Sequence, residues 1–177
     1  MKLKGAGIVG TTDNKKEKNK SIGYLLKRLI PYMYRSSKLM FIVNYIAAFL
    51  DGVLGAFVIV YLQKLFTVVL GLYSQKTNYI TIVQYVLIFL LIKVGNEIFN
   101  GVYNTLGEIL ATKAEKYLGD KINIKSSKLE LIKFQESTVL DQIVKSYEGA
   151  AIGRNFTNTF LTLLFLYVPY YVILGIY

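Results

Sequence analysis

Three long apolar runs separated by polar stretches set the pattern of this chain. The first is Met40–Leu62 (MFIVNYIAAFLDGVLGAFVIVYL), and the short polar turn GLYSQKTN follows at 71–78. The second runs from Tyr79 to about Tyr103, and the third is Phe156–Tyr177 (FTNTFLTLLFLYVPYYVILGIY). Each exceeds the roughly 20 residues that a helix needs to cross a hydrocarbon core about 30 Å thick, so each predicts a transmembrane helix. Pro169 within the third is compatible with a spanning helix.

The second run does not stop at the membrane. No proline interrupts the chain from Tyr79 to Lys128, and these fifty residues read as one helix that turns from apolar to charged. At 1.5 Å per residue this helix would be roughly 75 Å long. About 40 Å of it would then stand in water. The chain must return by Phe156, so residues 104–155 predict a helical hairpin with a reversal at Lys133–Asp141. Leu129, Leu131 and Phe134 can bury against the returning limb, while Gln135, Glu136, Ser137 and Thr138 disfavour uninterrupted helix. Ser137 or Thr138 could cap TVLDQIVKSYEGA, whose Val139, Ile143 and Tyr147 share a face.

Ahead of the first span, Ile22, Leu25, Leu26, Leu29 and Ile30 fall on one helical face, with Ser21 as a candidate N-cap. Lys27 and Arg28 lie off that face, and Pro31 is expected to break or bend the helix. Tyr32 and Tyr34 suit a headgroup layer. The segment therefore predicts a short amphipathic helix in the membrane plane. Residues 1–20 are polar and basic and lack the apolar core of a secretory signal, which predicts a disordered cytosolic tail.

Composition agrees with a membrane protein: 54% of residues are hydrophobic and mean hydropathy is +0.42. The absence of cysteine excludes disulfides and thiolate metal sites, and the absence of histidine removes the usual base near neutral pH. The net charge of +10 sits beside the apolar runs rather than on a nucleic-acid face. Ten Lys and Arg precede Met40 and eight lie between Lys113 and Arg154, whereas Lys64 and Lys76 flank the first connection. The positive-inside rule then places the N-terminus and the long hairpin in the cytoplasm of a multi-pass plasma-membrane protein.

Polar residues inside the spans are the candidates for function. Lys93, Glu97, Asn100, Asn104 and Glu108 recur every three or four residues and form one stripe on the second helix. Such a stripe must face protein or water, which suits the wall of a translocation cavity at Lys93 and Glu97. For Asn104 and Glu108 the alternative is that they already stand in solvent. Asp51 and Lys93 both lie near the midplane. A structural ion pair between their helices is the favoured reading, a substrate or proton site the alternative. Glu97, four residues from Lys93, could compete for the same ammonium.

Taken together, these elements resemble the N-terminal half of the transmembrane domain of a type-1 ABC exporter. GYLLKRLIPYMYRSSKL resembles the basic elbow helix that precedes that family's first span. KLELIKFQESTVLDQIVKSYEGA resembles the joint where its second and third spans, extended into the cytosol, meet through a short coupling helix. The resemblance covers about Ser21 to Tyr177 and implies an all-α membrane domain with an elbow helix and three long transmembrane helices. Phe134, Gln135, Glu136, Ser137, Thr138, Leu140 and Asp141 match the joint, and by resemblance would dock on a nucleotide-binding domain. The family often has a proline in or just before that joint, and this chain has none.

No G-x-x-x-x-G-K-[ST] occurs in these residues, so ATP and Mg are implied only for a partner or missing ATPase domain. The remaining transmembrane helices would come in cis or in trans, with the complete transporter a dimer. The expectation is therefore a fragment or a part completed by others, with no catalytic, cofactor or metal site of its own. The reading from a different class is a small accessory or immunity-type membrane protein that acts through its cytosolic hairpin.

Overall fold

The structure, a computed structural model, describes residues 22–73, 78–129, 134 and 136–177. The basic tail, the Ser21 cap, Lys76, Leu131, Lys133 and Gln135 lie outside the described residues. The described residues form helices and contain no strand. Helix α1 is Ile22–Ser36, α2 is Lys38–Tyr73 and α3 is Tyr79–Ser126. Helix α4 is Ser137–Thr162, followed by a π turn at Leu163–Tyr167 and then α5, Val168–Ile176. Three helical stretches, Lys38–Gly71, Tyr79–Ser126 and Ser137–Ile176, are long and apolar enough to cross a membrane. This is the architecture of a multi-pass membrane protein.

Helix α3 keeps its 48 residues in one piece, about 72 Å, because neither proline nor a run of turn formers intervenes. It ends in a tightened turn, where Ser127 N–H donates to Asn123 O (2.8 Å) and Leu129 N–H to Ser126 O (2.9 Å). Helix α2 runs further than its apolar span requires. It continues past Leu62 to Tyr73, because Gln63, Lys64 and Thr67 change polarity without breaking the backbone ladder.

Two local expectations are corrected. Pro31 does not break α1, which passes through it to Ser36. Only one backbone bond is lost there, and the apolar face of Leu26 and Met33 is buried on both sides of the proline. Neither Ser137 nor Thr138 caps α4. Glu136 occupies the cap position in extended conformation, without a side-chain cap bond, and its carbonyl accepts from Val139 (3.1 Å) and Leu140 (3.3 Å).

The third span is helical throughout but changes its winding partway. Pro169 has no N–H, so the preceding turn opens to a π turn in which Val168 N–H donates back to Leu163 O. This turn lies against Gly52 of α2. A Cβ built on Gly52 would sit 2.2 Å from Leu166 O, so no residue larger than glycine fits without displacing backbone.

The helices meet in a small core at the end of the bundle that carries the α3–α4 hairpin. Met33, Tyr45, Leu110, Ala114 and Leu161 are buried there, with Ile30, Phe41 and Phe165 packed around them. Tyr34, Phe41, Tyr45 and Phe165 form a run of ring contacts with centroids 4.8–5.7 Å apart. Further into the membrane, α2 turns small residues, Ala47, Ala48 and Ala56, inward. Small side chains let helices approach closely where lipid supplies no hydrophobic drive between them.

Candidate functional site

Asp51 is carried by the middle of α2 and is only 6% exposed. Two asparagines of α3, one turn apart, hold it. Asn96 Nδ2 donates to Asp51 Oδ1 (2.5 Å) and to Asp51 O (3.1 Å), while Asn100 Nδ2 donates to Asp51 Oδ2 (3.1 Å). Asn104 Nδ2 then donates to Asn100 Oδ1 (3.0 Å). The three amides line up with their N–H groups toward the carboxylate. That order fixes which way each amide faces and stabilises negative charge on Asp51.

Lys93 does not pair with Asp51. Its ammonium donates to Glu97 Oε1, one turn along its own helix. The local pair wins because its partners are already neighbours at i and i+4, so little further ordering is needed. The amides then take the carboxylate. Asn96 was not among the sequence candidates. Its signal was present: it stands three residues after Lys93 and four before Asn100, the spacing that defines the stripe.

The stripe itself stays uncovered. The Lys93 and Glu97 side chains are 44% and 62% exposed, and Asn104 and Glu108 are exposed as well. Asn100 lies at the edge of the stripe, half-buried, and links it to Asp51. At membrane depth, groups of this polarity need water or protein beside them.

Further polar links tie the spans together. Tyr45 O–H donates to Asn158 Oδ1 (3.1 Å), and the Tyr103 and Thr162 hydroxyls share a hydrogen bond (2.7 Å). Asn44 is fully buried beside Gly107, and neither its amide nitrogen nor its amide oxygen has a partner. Among the described residues, no group of three or more carboxylates is placed to hold a metal ion.

The joint residues are distributed differently. Glu136, Ser137, Thr138, Leu140 and Asp141 are exposed, and Phe134 is half-buried. Leu129, Val139 and Ile143 line the seam between α3 and α4, and Tyr147 O–H donates across it to Asn123 Oδ1 (2.5 Å). Compared with protein families, with characterised proteins and with solved structures, the chain matches none. The site must therefore speak through its own geometry.

Proposed function

We propose that this chain supplies one wall of a membrane translocation path of the type-1 ABC exporter kind, driven by an ATPase domain outside these residues. One observation carries the reading: Lys93 and Glu97, on an α3 stripe anchored to Asp51 through Asn100, stand exposed at membrane depth. The exposed start of α4 supports a docking role for the hairpin end, since Leu140 and Val144 present apolar surface there beside Asp141. In this reading the stripe faces the aqueous path, and α4 transmits movement of the ATPase partner.

The chain has no cysteine, so single cysteines report cleanly. Cysteines at Lys93 and Glu97 should react with a membrane-impermeant maleimide in sealed vesicles, and cysteines at Leu91 and Ile98 should not. Equal protection of all four positions would reject an aqueous path along the stripe. Cysteine at Asp141 should lose labelling when the ATPase partner is added.

A further inference from the structure

Helix α1 does not close flat against α4. Between them runs an open groove of about 650 Å³, floored by Leu25, Leu29, Gly149, Ile152 and Phe156. That volume lies within the roughly 300–1,000 Å³ typical of ligand sites. Gly153 sets the spacing, since a Cβ there would lie 3.3 Å from the Leu29 methyl carbon. One end of the groove reaches Phe156, which opens the third apolar run, and so it meets the hydrocarbon boundary.

The other end opens, past Arg28 and Ser146, into a second pocket that also holds Lys121 and Lys125. The ion pairs among the described residues are Lys93–Glu97, Lys145–Asp141 and Arg154–Glu115, so Arg28, Lys121 and Lys125 belong to none. Lys121 is held over the Tyr32 and Tyr117 rings, 5.4 and 5.2 Å from their centroids, which keeps its ammonium at the pocket mouth. An apolar trough that ends in three cations without carboxylate partners has the complementarity of a single kind of molecule: an amphiphile with an anionic head.

We propose that this groove seats one anionic phospholipid from the leaflet at the hairpin end. Its acyl chain lies along Leu25, Leu29, Ile152 and Phe156, and its phosphate meets Arg28, Lys121 and Lys125. The bound lipid completes the seam between α1 and α4 and ties the amphipathic helix to the composition of the membrane. This holds whether or not the chain belongs to an exporter.

The chain has no tryptophan, so Ile152→Trp places one reporter in the groove. The probe is the full chain in phosphatidylcholine vesicles that contain brominated phosphatidylglycerol, or brominated phosphatidylcholine, at equal mole fraction. The anionic lipid should quench the reporter in preference, and the preference should saturate. Arg28→Gln should reduce the relative affinity about five-fold, the effect of one basic residue near a membrane surface, and Arg28→Lys should retain it. The triple change Arg28→Gln, Lys121→Gln, Lys125→Gln should abolish the preference. The control Lys113→Gln with Lys116→Gln, which lowers net charge outside the groove, should leave it intact. Equal quenching by both lipids overturns the proposal, and so does a control that loses as much preference as the triple variant.

Discussion

The membrane-level contact of α2 with α3 and the α3–α4 hairpin are held by similar chemistry under opposite conditions. In the first, Asp51, Asn96 and Asn100 make hydrogen bonds at helix–helix contact, where the alternative partner is lipid. In the second, Arg154–Glu115, Lys145–Asp141 and Tyr147–Asn123 form with at least one partner open to solvent, where the alternative partner is water. Loss of a bond in the first region strands a donor, while loss in the second region exchanges it for hydration. The spans are therefore expected to be fixed by their polar contacts. The hairpin is fixed mainly by its apolar seam of Leu129, Val139 and Ile143.

The comparison can be broken most directly at Gly52. Gly52→Leu should destabilise by about 3 kcal/mol, because the new side chain meets the Leu166 carbonyl rather than a movable side chain. The measurement is loss of helical signal with added SDS from mixed micelles. A change below about 1 kcal/mol would mean that α2 and the π turn do not touch as described.

Asp51→Leu should cost about 2 kcal/mol by stranding the amide donors of Asn96 and Asn100, and Asp51→Asn should cost less by keeping one acceptor. A double-mutant cycle sharpens this result. Asp51→Asn and Lys93→Gln should add within about 0.5 kcal/mol, whereas Asp51→Asn and Asn96→Leu should not.

Asn44 tests the same region with the opposite sign. Its buried amide has no partner, so Asn44→Leu should raise stability by about 1 kcal/mol in the same titration. A loss of stability would show that the amide contributes through a hydrogen bond after all.

The smallest effect belongs to the hairpin. Lys145 is exposed, and its pKa is raised, first by the hydrogen bond to Asp141 and then by that carboxylate's charge. A raised pKa means that the contribution is fully present below the ordinary lysine value and is lost as pH rises through the folded value. Lys145→Gln should leave the unfolding midpoint at neutral pH unchanged within error. A clear shift would contradict a solvent-screened pair.

Much of the fold could be read in advance because it rests on long-range periodicity. The apolar runs at 40–62 and 79–103 lie inside the first two long helices, and the run at 156–177 lies inside the third but for its last residue. The unbroken pattern to Lys128 anticipates a helix that ends at Ser126. What could not be read depends on choices between nearly equal local options. Lys93 had two carboxylates within reach of its sequence position, and only the backbone arrangement shows Asp51 already satisfied by amides. Pro31 and Pro169 carry the same chemical defect, yet one is absorbed within a regular helix and the other by a π turn. At the start of α4, Glu136 takes the cap position through its backbone, a role with no side-chain signature. The candidate site was legible as a stripe, but the closing of Asn96 and Asn100 on Asp51 was not.

The π turn and its contact with Gly52 also set the height at which the third span can give. Pro169 leaves the helical ladder weakest at Leu163–Tyr167, and Gly52 offers backbone rather than a side chain to bear against. Bending of α4 relative to α5 is therefore expected at this height, with the backbone of α2 as the surface it turns on.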